Sequence, residues 1–434
     1  MTEPADILAR PFERRSVFSW CLYDWANSPF PAIVLTFVFP AYFIQAVASD
    51  AAEATSQWAF MTGTAALVIA LVSPVLGSIA DQGRRRKPWL ALFTIILAVG
   101  SALLWFVRPD TADAFLLLLL VGASVVAFEI GMVFYNTLLP TLVPASHVGR
   151  VSGWAWGLGY FGGLGGLVLV LLVFVQVETP PFGLDKDSAE HVRIAGPLVA
   201  LWLGLFCLPL FLWTRDPPGR GLPTKMAVRE GLVTLARTLR ALPHHGQLAR
   251  FLLARMIFTD GINTLFAFGG IYAAGTFGMS VAEVIMFGLL LNATAGAGAF
   301  AFGWIDDWIG AKPTILIGLA ALIVIGVPLL LVETKLGFWI LGAALGIFFG
   351  PVQSASRSMM ARMTPVGMES EMFGLFALSG KATAFAGPWL VGLIALVYGS
   401  QRLALATVLP FLVIGGLLML TVREPARPEE FSAA

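Results

Sequence analysis

Residues 20–43 read WCLYDWANSPFPAIVLTFVFPAYF, a long apolar run with a carboxylate, Asp24, and an amide, Asn27, near its start. An uncompensated carboxylate in hydrocarbon costs roughly 3 kcal/mol even on lenient insertion scales, so a chain that keeps one there faces it into a cavity or pairs it. The pattern returns 236 positions later. Asp24-Trp25-Ala26-Asn27-Ser28 and Asp260-Gly261-Ile262-Asn263-Thr264 share D-x-x-N-[S/T]. Two matching polar insertions, one per half, point to a duplicated membrane protein with a central polar site.

The wider composition agrees. Of 434 residues, 58% are hydrophobic and 12% charged, and the mean hydropathy is +0.84, outside the soluble range. Apolar segments lie at about 17–47, 57–80, 88–107, 114–139, 150–175, 194–213, 249–275, 281–305, 313–332, 337–360, 371–397 and 402–421, here numbered spans 1 to 12. Most reach the roughly 20 residues a helix needs to cross a bilayer core. Arg14, Arg15 and the Ala46-Val47-Ala48 triplet give span 1 the flanks of a signal peptide, but its apolar run is too long and too interrupted by proline for one.

Lys and Arg placement orients the chain. With the N-terminus inside, 21 fall on the inner side and only five outside (Arg108, Lys186, Arg193, Lys335 and Arg402), with Lys381 left within the membrane. This excess predicts two cytoplasmic termini in a plasma (inner) membrane. The net charge of +1 says nothing further about partners. Cys21 and Cys207 fall in membrane segments, where no structural disulfide is expected. His147, His191, His244 and His245 read as loop residues and make no metal constellation. No cofactor is implied, and no Ser/His/Asp set or phosphate loop at membrane depth suggests an enzyme. Gly157-Leu158-Gly159-Tyr160-Phe161-Gly162 satisfies G-x-G-x-x-G, but without a preceding strand it reads as close helix packing, not as a dinucleotide site.

Three parts are expected: a six-span half over 1–213, a linker over 214–248, and a second half over 249–434. The linker opens with Asp216-Pro217-Pro218-Gly219 and becomes amphipathic, with Val228, Leu232, Leu235, Leu239 and Leu242 at steps of three and four among Arg229, Arg237 and Arg240. It reads as a basic helix on the inner membrane surface. The duplication has further support. Gly77 to Asp81 and Gly303 to Asp307 each place glycine and aspartate four apart, ahead of Arg84, Arg85 and the rest of one basic run, and of Gly310 and Lys312. Pro144, Gly153 and Gly159 match Pro365, Gly374 and Gly380, each displaced by 221.

These glycine–aspartate–basic loops resemble the signature of the major facilitator superfamily, present once per half; the first copy lacks one residue between Asp81 and Gly83. More specifically, residues 23–43 (YDWANSPFPAIVLTFVFPAYF), 135–144 (YNTLLPTLVP) and 149–163 (GRVSGWAWGLGYFGG) resemble its vacuole-effluxer-like branch. The resemblance covers nearly the whole chain. It implies an all-α integral membrane fold of twelve helices in two six-helix pseudo-repeats, acting as a monomeric secondary transporter by alternating access. Eukaryotic members are linked to moving amino acids out of the vacuole, so a small solute such as an amino acid is the implied cargo, with protons as the coupling ion. An amphiphile such as a lysolipid is an alternative cargo, and a non-transporting receptor or scaffold on the same fold is an alternative of another class.

Candidate residues follow. Asp24 and Asp260 lie about eight to eleven residues into their helices, or about 12–16 Å at 1.5 Å per residue. Spans 1, 4, 7 and 10 line the cavity in this superfamily, which aims both at its centre. Burial favours a neutral carboxyl and a nearby cation a charged one, the difference that proton coupling uses; a fixed interhelical hydrogen bond is the bland alternative. Glu129 on span 4 and Lys381 on span 11 break the repeat, since their counterparts are Gly350 and Tyr160. Opposite charges at asymmetric positions suit a zwitterion, or form a salt bridge that locks helices, whether Glu129–Lys381 or Asp24–Lys381. Tyr23, Asn27, Tyr135, Asn136, Asn263, Asn292 and Gln353 complete the polar set. The resemblance also makes Asp81 and Asp307 tethers of a cytoplasmic latch. Arg357 is expected either to snorkel or to pair with Asp307 in that latch.

Overall fold

The computed structural model describes residues 13–83, 85–216, 219–241 and 246–424. Arg10, Arg84, Pro217, Pro218, Leu242, His244, His245 and Arg427 lie outside the described residues. Twelve helices are long and apolar enough to cross a membrane: Arg14–Val47, Glu53–Gln82, Lys87–Phe106, Thr111–Leu142, Ala145–Val175, Glu190–Trp213, Gly246–Phe277, Glu283–Ile309, Ala311–Leu331, Lys335–Met363, Glu369–Tyr398 and Gln401–Leu420. They correspond in order to spans 1 to 12, and no strand occurs among the described residues. Both ends of the described chain emerge on the side that carries most of the basic loops, called here the basic end.

Two spans are irregular where they matter. Span 1 is regular over Arg14–Asn27, then widens into π-helical turns over Phe30–Phe37 and Phe43–Val47. Pro29, Pro31 and Pro40 lack the N–H that a regular ladder requires there. Ser28 ends the first part by donating its hydroxyl to the Asp24 carbonyl at 2.6 Å. Span 11 is helical over Glu369–Lys381 and Ala386–Tyr398, so it breaks immediately after Lys381.

Small residues let the helices approach. Gly153 of span 5 lies against Gly303 of span 8, where a Cβ would stand 2.8 Å from the Gly303 Cα. On another face of span 5, a Cβ at Gly162 would stand 2.9 Å from the Cα of Trp25 in span 1. The G-x-G-x-x-G run is thus a packing surface. Cys21 and Cys207 are free and buried.

The linker contains an amphipathic helix, Thr224–Ala241, followed by span 7 from Gly246. Of the expected apolar stripe only Leu235 is buried, together with Ala227 and Gly231; Val228, Leu232 and Leu239 stay exposed.

Candidate functional site

Arg357 decides the centre of the molecule. It is only 2% exposed, and its Nη1 lies 2.9 Å from Asp24 Oδ2, joining span 10 of one half to span 1 of the other. Its Nε donates to Ser152 Oγ at 2.9 Å, its Nη2 to the Ser152 carbonyl at 2.7 Å, and its Nη1 also to Asn136 Oδ1 at 3.5 Å. The guanidinium sits 4.9 Å from the Trp20 ring centroid, 5.6 Å from Trp156 and 5.8 Å from Tyr135. Trp20 and Tyr135 are themselves stacked at 4.5 Å, and each donates to the other's backbone carbonyl. A buried arginine is stable only when such a set satisfies its fork. The expectation for Arg357 is therefore corrected: it neither snorkels nor meets Asp307, because Asp24 and the aromatic box hold it deeper.

The second half does not repeat this pair. Asn136, 221 residues before Arg357, occupies the equivalent place on span 4. The amide carries no charge, and no ion pair forms at Asp260 among the described residues. Asp260 is 3% exposed, its Oδ2 has no partner among the described residues, and Thr383 of span 11 is within hydrogen-bonding reach.

Nearby, Lys381 Nζ meets Glu129 Oε1 at 2.6 Å, joining spans 11 and 4 across the halves. Their side chains remain 27% and 24% exposed although both lie inside their spans, so open space reaches this pair. Arg255, five residues before Asp260, is buried and stacked 3.4 Å over Phe376. It donates to the Phe376 carbonyl at 2.6 Å and to Ser379 Oγ at 2.7 Å, and its Nε has no partner. No carboxylate lies within ion-pair distance of it among the described residues, and Glu129 is the anion whose charge it feels. Three carboxylates and three cations thus share the interior. Two pairs are closed, while Asp260 and Arg255 both face span 11 with unused polar atoms.

At the basic end the halves cap one another. Asp81 of span 2 accepts from the backbone N–H groups of Ser370 and Glu371 at 3.1 and 2.8 Å, the first turn of span 11. Asp307 of span 8 accepts from those of Gly149 and Arg150 at 2.8 and 3.2 Å, the first turn of span 5. The two pairs of amides are repeat equivalents, and a carboxylate is the natural cap for a helix N-terminus. Gly77 and Gly303 make the approach possible: a Cβ at Gly77 would overlap the Ser370 carbonyl, and one at Gly303 would stand 2.9 Å from the Arg150 Cα. Cations complete the joint. Arg86 bridges Asp81 at 2.9 Å and Glu369 at 2.5 Å. Arg150 holds Asp307 at 2.6 Å, and Arg362 reaches Asp306, Asp307 and Glu424 at 2.5, 3.4 and 3.2 Å.

The remaining candidates fall elsewhere. Arg85 is exposed and belongs to none of these ion pairs, and Arg84 is outside the described residues. Gly310, at φ 104°, turns the chain into span 9, and Lys312 Nζ donates to the Leu420 carbonyl, so both serve the second half alone. Asn27 donates to Met132 Sδ, Tyr23 shares a 2.7 Å hydrogen bond with Thr94, and Asn292 donates to the Gly288 carbonyl. Gln353 is half-buried and Asn263 exposed. Arg86, Arg150, Arg362, Glu369, Arg255 and Ser152 were not among the candidates; for the first four, closeness to Asp81 or Asp307 or to a span start was the available signal.

A family model described as "Vacuole effluxer Atg22 like" matches residues 145–429, and one for the Major Facilitator Superfamily matches residues 3–167. The chain is 26% identical over 411 residues to the uncharacterized MFS-type transporter YxiO of Bacillus subtilis, covering 94% of each. It is 26% identical to autophagy-related protein 22-1 of Phaeosphaeria nodorum, over 82% of this chain and 75% of that one. It spans about half the length of several other fungal relatives. Its fold is similar to that of the human organic anion transporter MFSD10 (TETRAN), with a TM-score of 0.72 at 15% identity over 94% of this chain and 100% of that one.

Proposed function

The chain belongs to the vacuole-effluxer Atg22-like family, an integral membrane transporter of the major facilitator superfamily and not an enzyme, and on that premise we propose that it moves amino acids, coupled to protons, by alternating access. The observation that carries this reading is the unequal treatment of equivalent carboxylates. Asp24 is neutralised by Arg357, whereas Asp260 is buried without a cation. A lone carboxyl whose surroundings change between states is the group that can take up and release a proton. Glu129 and Lys381, paired but reachable, offer an anion and a cation to the two ends of a zwitterion. On this reading the basic end is cytoplasmic, both termini lie there, the membrane is the plasma membrane, and the joint of Asp81 and Asp307 is the closed inner gate of a monomer.

The receptor or scaffold reading requires every interior charge to be permanently paired, and Asp260 and Arg255 speak against it. Unpaired Arg255 favours an organic anion as the second cargo. Liposomes containing the purified protein test both, with pooled labelled amino acids and pooled carboxylates supplied with and without an imposed proton gradient. Accumulation of amino acids that needs the gradient, and is lost in Asp260→Asn while exchange persists, is the expected result. Accumulation of carboxylates alone overturns the cargo, and accumulation indifferent to the gradient overturns the coupling.

A further inference from the structure

The linker helix Thr224–Ala241 is fastened to the gate from outside the bundle. Its Ala227, Gly231 and Leu235 face inward onto the last turn of span 2. Ser78 Oγ donates to the Gly231 carbonyl at 2.7 Å, and a Cβ at Gly231 would stand 2.9 Å from the Ile79 Cα. The chain leading into the helix is tied as well. The N–H groups of Arg220, Gly221 and Leu222 donate to the carbonyls of Asp81, Gly83 and Gln82, which the end of span 2 leaves open.

Among the described residues, nothing covers the next strip around this helix. Val228, Leu232 and Leu239 are 38%, 47% and 45% exposed, about a quarter turn from the buried face. Beyond them come Lys225, Arg229 and Arg240, all exposed. With Arg237 the helix carries four cations against one carboxylate, Glu230. An uncovered apolar strip bordered by cations, beside the end of a membrane-spanning helix, matches the interface of a bilayer that presents anionic phosphates. A protein partner would need a complementary acidic ridge, whereas the membrane is already present at this level of the molecule.

We propose that the linker helix lies in the headgroup layer of an anionic leaflet and holds the gate beneath it shut. Val228, Leu232 and Leu239 enter the upper acyl region, and Lys225, Arg229 and Arg240 meet phosphate. The connection to the gate is Ser78. Its hydroxyl bonds the Gly231 carbonyl and also lies 3.0 Å from Glu371 Oε2 on span 11, so one side chain touches the linker, the first half and the second half. Lipid that fixes the linker fixes Ser78 against Glu371, next to the amides that Asp81 caps.

The test uses the full chain in vesicles of phosphatidylcholine alone and of phosphatidylcholine and phosphatidylglycerol in equal parts. Leu232→Cys carries a polarity-sensitive fluorophore, the native cysteines being buried. Quenching by lipids brominated in the acyl chains is expected to be about fivefold stronger in the anionic vesicles, and to fall by a similar factor for each of Arg229→Gln and Arg240→Gln. A probe that stays open to an aqueous quencher in both vesicles, or is shielded equally in detergent, overturns the lipid surface, the second result assigning the strip to protein. Spin labels at Arg85→Cys and Val366→Cys, exposed loops of opposite halves, read the gate. The short-distance population is expected to rise with anionic lipid, and Ser78→Ala to remove that rise while the Leu232 quenching persists. A distance distribution indifferent to lipid in the parent protein overturns the link to the gate.

Discussion

Arg357 and Asn136 hold the same place in the two repeats, 221 residues apart, and touch, guanidinium to amide oxygen, at 3.5 Å. That position separates the surroundings of the two repeat-related carboxylates. Where the second repeat has arginine, Asp24 of the first is paired; where the first has asparagine, Asp260 of the second is not. The two carboxylates share one sequence pattern, and only Asp24 is paired with an arginine.

Exchanging the two residues should exchange the roles. If the repeat symmetry holds, Asn136→Arg with Arg357→Asn carries the cation to Asp260 and leaves Asp24 without one. Gradient-driven uptake is then expected to become sensitive to Asp24→Asn and tolerant of Asp260→Asn. Retained dependence on Asp260 in the exchanged background would show that local geometry, rather than the missing cation, selects it.

Breaking the Asp24–Arg357 pair from one side leaves an unbalanced buried charge, which costs about 3–5 kcal/mol. Arg357→Gln should lower the melting temperature strongly in a tryptophan-fluorescence scan, and adding Asp24→Asn should recover much of the loss. Glu129→Gln removes a pair that is a quarter exposed. Its effect on stability should stay within about 1 kcal/mol, while uptake falls at least tenfold (about 1.4 kcal/mol). Equal losses of stability in the two cases would contradict this division between a structural pair and a working one.

The gate should fail by steric means as well as by charge. A side chain at Gly77 or Gly303 collides with the backbone of the opposite half, so Gly77→Val and Gly303→Val should bias the protein toward an open basic end. Ser370→Cys, at a position buried in the joint, reports this through alkylation, with a rise of about tenfold expected, equivalent to about 1.4 kcal/mol. Unchanged labelling would mean that these glycines matter only for folding.

Arg255 separates the two cargo readings. Under organic-anion transport, Arg255→Gln should raise KM about tenfold (about 1.4 kcal/mol) for a carboxylate, whereas under amino-acid transport through Glu129 and Lys381 it should leave the KM for an amino acid unchanged. Equal effects on both compounds would assign Arg255 to helix packing against Phe376 alone.

Much of this was readable in the sequence, for definable reasons. Twelve spans follow from segment length and hydropathy, and the glycines and aspartates of the joint from the paired four-residue spacing. Glu129 and Lys381 stood out as charges inside apolar helices, and one of the two pairings weighed for Lys381 is the one that forms. Arg357 was assigned to the latch and Arg255 was missed because both lie close enough to span ends to be counted with the basic loops. Nothing local indicates that Trp20, Tyr135 and Ser152 converge on Arg357 from three other helices. In the basic run the pattern marks a cluster but not which member turns inward. The turn after Asp81 points Arg86 at Glu369, across a sequence separation of 283 residues.

The joint at the basic end is built from amides as much as from charges. Ser370, Glu371, Gly149 and Arg150 each direct an N–H at a carboxylate of the other half. When the halves part at that face, those amides meet solvent instead of acyl chains, and water can take the place of each carboxylate. Opening is then a hydration reaction, in which the parted form is distinguished by the water it absorbs. Solutes excluded from protein surfaces should hold the joint closed in proportion to their osmotic strength, whatever the cargo, making solvent activity a further control on the resting state.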